Sequence, residues 1–321
     1  MLQNINECIK SYVSNHVLNQ EVVTELALTA FFAGGHILLI GPTGMGKTQW
    51  AKALAGGLGL GYDYCRFSEN TTSDRFFSVL VRSEENPHQC MSQPGALFSP
   101  VFHADIHFNT EELDPTPQLS QMLIHTQFWP HNHIIDAIDR EKKNLADFGG
   151  ESFILPDPHF IIVSCNQTHY LPKILTDRIM MKLYINYPGV AAEKQILLTH
   201  HENTAPKQKL PPICTPEAIG QAKQEVQAVA VDDNILNYIV NVSETTRRIS
   251  PVQIGVSPRA SISLLQASKS FAAINGRDYV TIDDVRSMAV PVLRHRITLR
   301  PDVTKEGISP DRIIESIIAS K

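Results

Sequence analysis

The chain has 321 residues, of which 43% are hydrophobic and 19% are charged, and its formal net charge is −5. These values exclude an intrinsically disordered chain, and the acidic balance excludes a general electrostatic attraction to nucleic acid or anionic membranes. The length favours two domains over one.

The first segments predict a helical start followed by a buried strand. Residues 1–35 have the apolar spacing of a helix and end in "AGG", a typical helix stop. The continuous apolar run "HILLI" at 36–40 is typical of a strand that is buried on both faces. A helix is then expected from Lys47 to about Gly57.

Strands and helices continue to alternate up to residue 187. Four further segments have strand character: 62–67, 100–105, 159–166 and 180–187. The segment "IIDAIDREKKN" at 134–144 has the pattern of a helix. This alternation predicts an α/β fold with a mostly parallel, doubly wound sheet. Residues 106–133 are rich in Pro, His and polar residues, and they predict a loop or an insertion with one short helix.

The character of the sequence changes near Pro188. Five later segments have the three-to-four-residue apolar spacing of helices, and several open with Thr, Ser or Asp or carry Pro in the first turn. The sequence therefore predicts an α/β domain over 1–188, with the insertion near 106–133, and an all-helical domain over 189–321.

Localisation is predicted from the N-terminus and the cysteines. The N-terminus lacks the basic region and apolar core of a signal peptide, and no apolar run approaches the length that spans a bilayer. The five cysteines are scattered and form no CxxC pair, which favours reduced thiols. We expect a cytoplasmic protein without an integral membrane segment.

A phosphate-binding loop is the strongest functional signal. "GPTGMGKT" at 41–48 fits G-x-x-x-x-G-K-[ST] and lies between a predicted strand and a predicted helix. Its glycines are expected to adopt backbone angles that a Cβ would forbid, so that N–H groups point at phosphate oxygens. Lys47 can reach the β- and γ-phosphates, and the Thr48 hydroxyl can bind Mg²⁺. The residues predicted to bind ATP are Gly41, Pro42, Thr43, Gly44, Met45, Gly46, Lys47, Thr48 and Gln49.

A carboxylate that helps to hold Mg²⁺ is expected at the end of a strand beside this loop. Asp105 ends the apolar segment "PVFHAD", so Thr48 and Asp105 are the predicted magnesium ligands. Asp136 in "HIIDAID" is a second candidate, but its segment continues as an amphipathic helix, and we prefer Asp105. Because His103, Asp105 and His107 alternate on one strand face, zinc binding is an alternative that the spacing allows.

These motifs, in this order, resemble the MoxR family of AAA+ ATPases over nearly the whole chain. The similar segments are "LNQEVV" (18–23), "GGHILLIGPTGMGKT" (34–48), "PGALFSPVFHAD" (94–105), "LPDPHFIIVSCNQ" (155–167), "LPKILTDRIMMKL" (171–183), "GVSPRASISLL" (255–265) and "GRDYVTIDDV…VPVLRHRI" (276–297). The resemblance implies an AAA+ core followed by a helical lid. It makes Asn166 the sensor 1 candidate, Arg178 the arginine-finger candidate and Arg259 the sensor 2 candidate. Together with Lys47 and Asp105, these are the predicted catalytic residues.

The resemblance also implies an assembly and a role. Family members normally form a hexameric ring or spiral with ATP bound between subunits. Arg178 would then reach the nucleotide of a neighbouring subunit, whereas Arg259 would bind the nucleotide of its own subunit from the lid. Members are thought to act as chaperone-like remodelling factors on protein clients, often with a von Willebrand factor A-domain protein.

Ile106 is the main departure from the family pattern, in which a glutamate directly follows the aspartate. Without a carboxylate that orients the attacking water, turnover is expected to slow while nucleotide affinity persists. Glu111 or Glu112, just downstream, could supply a displaced carboxylate. The insertion, which carries Phe128 and Trp129, could equally bind a partner.

Two main hypotheses therefore remain. The first is an ATP-hydrolysing remodelling factor, and the second is a hydrolysis-impaired, nucleotide-binding oligomer with a regulatory or scaffold role. A nucleic-acid translocase is a weaker third hypothesis, because the chain has no basic stripe with interleaved aromatic residues.

Overall fold

A computed structural model of the chain describes residues 1–67, 78–82, 90–106, 145–148, 151–154, 156–166, 171, 176–201 and 211–321. The strands, in chain order, are β1 (Ile37–Ile40), β2 (Tyr62–Phe67), β3 (Ser78–Arg82), β4 (Cys90–Pro94), β5 (Val101–Ile106), β6 (Leu145–Phe148), β7 (Glu151–Ile154), β8 (Phe160–Cys165), β9 (Met181–Tyr184), β10 (Val252–Ile254) and β11 (Thr298–Leu299). The helices are α1 (Leu2–Ser14), α2 (Glu21–Phe32), α3 (Lys47–Leu58), α4 (Val190–His201), α5 (Pro216–Ala228), α6 (Asp233–Arg248), α7 (Pro258–Ile274), α8 (Ile282–Leu293), α9 (Pro301–Lys305) and α10 (Pro310–Ala319).

The central sheet has five strands in the order β2-β5-β8-β1-β9. All neighbouring strands in it run parallel, so the predicted parallel α/β fold is confirmed. The parallel arrangement brings the carboxyl ends of the strands to one edge, which we call the carboxyl edge of the sheet. The loop after β1 therefore lies beside the residues that follow β8.

Each face of the sheet is covered by its own hydrophobic cluster. Val101 and Phe160 belong to a large cluster that also contains buried residues of α1, α2 and α3. Phe102, Ala104 and Ile161 belong to a second cluster on the opposite face. This division follows from the period-two alternation of side chains along a strand, and it explains why β1, β5 and β8 are apolar on both faces.

The helical character predicted for residues 1–35 is confirmed, and the structure divides this region into two helices. Asn19, between α1 and α2, has a positive φ of 57°, a conformation that interrupts a helix. Two antiparallel hairpins, β3-β4 and β6-β7, lie outside the central sheet. The predicted helix at 134–144 and the inserted residues after Ile106 lie outside the described residues.

The C-terminal helices begin as the sequence predicted, with polar caps and early prolines. The side chains of Thr215, Asp232, Thr281 and Ser309 each accept a hydrogen bond from a backbone N–H in the first turn of α5, α6, α8 and α10. Helix α7 packs against α1 and α2, so the large hydrophobic cluster continues into the helical domain. The domain boundary near Pro188 stays a prediction. Within the described ranges, no helix combines the length and the apolar character needed to cross a membrane.

Candidate functional site

The loop between β1 and α3 has the backbone of a phosphate cradle. Gly44 and Gly46 have φ angles of 87° and 77°, in the left-handed region that favours glycine. Gly46 directly precedes α3, whose first backbone N–H groups have no partners within the helix and point towards the loop. The expected special backbone angles are therefore present at these two glycines.

Gly41 is needed for a different reason than predicted. Its φ is not positive, and instead a Cβ at this position would lie 2.5 Å from the carbonyl oxygen of Ile185. The Ile185 N–H donates to the carbonyl of Ile40 over 2.8 Å, which holds the chain after β9 against the start of the loop. Gly41 thus permits a close approach of two backbones, and the expectation of unusual angles there is wrong.

The buried side chain of Lys47 folds back onto the phosphate loop. Its Nζ donates to the carbonyl oxygens of Gly41 at 2.7 Å and Pro42 at 2.9 Å, and the residue is only 6% exposed. Burial lowers the pKa of Lys47, while the negative charge of Asp105 opposes that shift. The ammonium group thus lies within the field of this carboxylate. Thr48, the predicted magnesium ligand on the loop, is exposed in the first turn of α3.

The Asp105 carboxylate lies at the carboxyl edge of the sheet and is buried, with 2% exposure. One oxygen, Oδ1, accepts a hydrogen bond from the Ser164 hydroxyl at 2.7 Å. The other, Oδ2, accepts from the Tyr64 hydroxyl at 2.8 Å and lies 4.0 Å from Nε of Arg66. The carboxylate is therefore held by protein donors on both oxygens.

Ile106 is a core residue of the sheet. It continues β5 in register with Cys165 of β8, and it is 1% exposed. Its side chain belongs to the second hydrophobic cluster with Phe102 and Ala104, on the face opposite to Asp105. The position that carries glutamate in the family pattern is thus built into the apolar interior here.

Asn166 follows β8 directly, and it is half-buried. Its Oδ1 atom is buried and has no hydrogen-bond partner among the described residues. The Gly41 N–H donates to the carbonyl of Cys165 over 3.2 Å, so Asn166 stands next to the phosphate loop. Asn166, Asp105 and Thr48 all carry oxygen atoms on or beside this edge of the sheet, and oxygen is the ligand atom that Mg²⁺ prefers.

Comparisons with known proteins agree with this architecture. Residues 245–317 match the model of the AAA lid domain. The chain is 28% identical to the uncharacterized protein YeaC of Bacillus subtilis, over 96% of this chain and 92% of that protein. It is 24% identical to the chaperone MoxR1 of Mycobacterium tuberculosis, over 95% of this chain and 79% of that protein. It is also 25% identical to the protein MoxR of Methylorubrum extorquens, over 94% of this chain and 90% of that protein.

The chain is therefore similar to MoxR proteins over nearly its whole length, and its C-terminal part matches the AAA lid domain. A solved structure of a protein assigned as an ATPase from Cytophaga hutchinsonii superposes with a TM-score of 0.83 at 22% identity, over 100% of this chain and 95% of that one. This likeness confirms the α/β core and the helical lid of the chain.

The two predicted arginines of the MoxR pattern lie close together in one chain. Arg178 is half-buried in the turn before β9, and Arg259 is exposed in the first turn of α7. Burial lowers the pKa of Arg178, and the positive charge of Arg259 lowers it further. The roles of Arg178 in a neighbouring subunit and of Arg259 in its own subunit remain predictions.

Asp177 joins the two segments that carry these arginines. It accepts hydrogen bonds from the Ser257 hydroxyl at 3.0 Å and 3.3 Å, and Ser257 is the N-cap residue of α7. It also lies 3.6 Å from Nη1 of Arg296, which is buried at the junction of core and lid. Helix α7 of the lid is thus held to the core beside Arg178.

The zinc alternative finds no support in the described part of the chain. Both ring nitrogens of His103 are engaged, Nδ1 with the Tyr62 hydroxyl at 2.9 Å and Nε2 with the Ser164 hydroxyl at 2.7 Å. Burial lowers the pKa of His103 to about 4, despite the neighbouring charge of Asp105. No cluster of three or more His, Cys, Asp or Glu side chains occurs among the described residues. His107, Asp136, Glu111 and Glu112 lie outside those residues.

The residues around Asp105 are the ones that the sequence did not reveal. Tyr64 and Ser164 donate to the carboxylate, and Tyr62 is linked to it through His103 and Ser164. The signal that could have found the two tyrosines is alternation, because Tyr62, Tyr64 and Arg66 are spaced two apart on β2. The alternation alone does not connect these tyrosines to Asp105, because only the order of strands in the sheet places β2 beside β5.

Proposed function

We propose that this MoxR-like protein binds Mg-ATP between the loop at 41–48, Asp105 and Asn166, and hydrolyses it to remodel protein clients. The observation that carries the proposal is the meeting of Lys47, Asp105 and the unpartnered Asn166 amide oxygen at one carboxyl edge. These are the groups that phosphoryl transfer needs, because catalysis there consists mainly of positioning and charge stabilisation.

Each residue has a role that follows from its position. Lys47 would exchange the carbonyls of Gly41 and Pro42 for phosphate oxygens. Thr48 and Asp105 would hold Mg²⁺, which neutralises charge on the phosphates when bound. The Asn166 amide would orient water, because its oxygen has no other partner in the described structure.

The arginines and the assembly complete the proposal. Arg178 would stabilise negative charge on the nucleotide of a neighbouring subunit, and Arg259 would do so from the lid of its own subunit. This requires a homo-oligomer, which we propose to be a hexameric ring or spiral in the cytoplasm. The relative named as a chaperone supports a remodelling role, and we propose a von Willebrand factor A-domain protein as a partner.

A second candidate function is favoured by the burial of Ile106. A side chain in the hydrophobic cluster cannot orient water or accept its proton, so hydrolysis would depend on a displaced acid such as Glu111 or Glu112. Without such an acid, the protein would be a nucleotide-binding oligomer with a regulatory or scaffold role.

Steady-state phosphate release by the purified protein separates the two candidates. We expect the wild type to release phosphate faster than Lys47→Ala, with Lys52→Ala as a control because Lys52 is exposed on the same helix. A displaced acid would make Glu111→Gln or Glu112→Gln slow as well. Wild-type release no faster than that of Lys47→Ala would reject hydrolysis, and ATP binding that persists in that case would support the second candidate.

A further inference from the structure

A buried series of hydrogen bonds leads from β2 to the predicted magnesium ligand. The Tyr62 hydroxyl lies 2.9 Å from Nδ1 of His103, and Nε2 of His103 lies 2.7 Å from the Ser164 hydroxyl. The Ser164 hydroxyl in turn lies 2.7 Å from Oδ1 of Asp105. We call these four residues the Asp105 network. It crosses three neighbouring strands, β2, β5 and β8.

The chemistry of the groups gives every hydrogen bond in the Asp105 network a direction. A carboxylate only accepts, so the single proton of Ser164 is donated to Asp105. Ser164 must therefore accept from Nε2–H of His103. A neutral imidazole with its proton on Nε2 accepts at Nδ1, and the Tyr62 hydroxyl is the donor there. All three donors point towards the carboxylate.

The two oxygens of Asp105 have different surroundings. Oδ1 is bound by Ser164, which like His103 is 0% exposed, so this side is sealed inside the sheet. Oδ2 is bound by Tyr64, which is 36% exposed and accepts a hydrogen bond from the exposed Arg66 at 3.3 Å. The partners of Oδ2 can move into solvent, whereas those of Oδ1 cannot move without disrupting the core.

We propose that Tyr62, His103 and Ser164 are positioning residues that fix Oδ1 of Asp105. The hydrogen bond from Tyr64 to Oδ2 is then the one that is replaced when Mg-nucleotide binds. This inference rests on the proposed function. Partners behind a metal ligand orient it and tune its basicity, and their loss costs metal affinity even though they never touch the metal. The directed bonds hold the carboxylate in one rotamer before nucleotide arrives, which lowers the entropy that binding would otherwise cost.

His103→Leu removes the central link while it keeps the Asp105 and Ser164 side chains. The readout is binding of a fluorescent ATP analogue to the full-length protein, in EDTA and over a range of Mg²⁺ concentrations. We expect the Mg²⁺ concentration at half-saturation to rise by about 10-fold to about 100-fold. Affinity in EDTA should match the wild type, because the phosphate loop is untouched.

Three further variants separate positioning from a general loss of stability. His103→Gln keeps one donor and one acceptor, so its Mg²⁺ concentration at half-saturation should be close to that of the wild type. Tyr62→Phe removes only the first donor, so it should raise the Mg²⁺ requirement by a smaller factor. If His103→Leu does not fold, Tyr62→Phe tests whether the Asp105 network affects the Mg²⁺ requirement. His159→Leu is the matched control, because the ring of His159 is bound to the Leu97 carbonyl at the opposite end of β8.

The outcomes distinguish this inference from the proposed function. A wild type that binds the analogue with a Mg²⁺ requirement unchanged by His103→Leu and Tyr62→Phe would overturn the inference alone. A Mg²⁺ requirement that rises equally in His159→Leu would also overturn it, because the effect would then be one of stability. A wild type that binds no nucleotide would overturn the proposed function, and the Asp105 network would lose its ligand with it.

Discussion

Ile106 is the residue at which chemistry and packing conflict. A glutamate in its place would match the family pattern, yet the side chain lies in the second hydrophobic cluster, with 1% exposure. Side chains alternate along β5, so a residue that directly follows Asp105 within the strand faces away from the phosphate loop. The departure is therefore more than a missing carboxylate, because the strand continues through the position.

Restoring the glutamate should not restore fast hydrolysis. Ile106→Glu would bury an unpaired carboxylate among apolar side chains, and we expect it to lower the free energy of unfolding by about 3 kcal/mol or more. Ile106→Val, the matched control, should cost only about 1 kcal/mol. Urea denaturation measures both costs. Faster phosphate release in a stable Ile106→Glu protein would show instead that this side chain faces the nucleotide.

The capping of α8 shows how local sequence determines an element. Asp284 is 2% exposed and accepts from the backbone N–H of Thr281 at 2.8 Å and from its hydroxyl at 2.7 Å. The Arg277 guanidinium donates to both carboxylate oxygens. Arg277, the N–H of Thr281 and the hydroxyl of Thr281 together lower the pKa of Asp284 against the opposing effect of burial. This helix start lies in the part of the lid that matches the AAA lid domain.

Asp284→Asn should therefore destabilise the lid far more than the neighbouring change Asp283→Asn. We expect a loss of about 2 kcal/mol in the free energy of unfolding, because hydrogen bonds to a charged acceptor are replaced by weaker ones. Asp283 has an 87% exposed side chain, and its change should cost well under about 1 kcal/mol. Chemical denaturation of the two variants tests this, and equal losses would refute the assigned role of Asp284.

Elements that depend on local patterns could be predicted from the sequence, and elements that depend on distant partners could not. The strands around "HILLI" and "FIIVSC", the phosphate loop and the capped lid helices have local signatures, and the structure confirms them. The hairpins β3-β4 and β6-β7 are not among the predicted elements, because β4 and β6 carry no continuous apolar run like those of β1 and β8. The apolar spacing predicts helix over residues 1–35, but it does not locate the break at Asn19, whose positive φ lies between the two helices.

The residues of the candidate site also divide into those that local sequence patterns predict and those that depend on distant partners. Lys47 and Asp105 could be predicted because each has a motif or a strand end next to it in the chain. Tyr62 and Ser164 could not, because they reach Asp105 only through the order β2-β5-β8 of the sheet. Strand order is a property of the whole fold, and no local pattern in the sequence specifies it.

At the scale of the whole molecule, core and lid share one interior. The large hydrophobic cluster contains residues of α1, α2 and β1 as well as of α6, α7 and α8. Asp177 adds polar contacts to Ser257 and Arg296 across the same junction. Core and lid are therefore joined by packed side chains as well as by these polar contacts.

Buried histidines should make the whole fold sensitive to mild acid. Burial lowers the pKa of His159 to about 4, and burial together with the charge of Arg296 lowers the pKa of His295 well below its usual value. Between about pH 6.5 and about pH 4 the unfolded chain therefore binds protons that the folded chain does not. Stability is full above that range and falls with decreasing pH, by about 1.4 kcal/mol per pH unit for each such histidine.

Urea denaturation across that pH range measures this slope directly. The variant His159→Gln keeps a donor for the Leu97 carbonyl but cannot titrate, so its stability should fall less steeply with decreasing pH. A slope identical to that of the wild type would contradict the assignment of a neutral, buried His159.

The central claim is that Mg-ATP binds where Lys47 and Asp105 meet. Titration calorimetry of ATP in Mg²⁺ buffer tests it most directly, with wild type, Lys47→Ala and Lys52→Ala compared side by side. We predict saturable binding to the wild type and to Lys52→Ala, and affinity at least about 10-fold weaker for Lys47→Ala, because the ammonium lost there pairs with the phosphates. Equal affinity in Lys47→Ala and the wild type, or no binding to any of the three proteins, would contradict the claim.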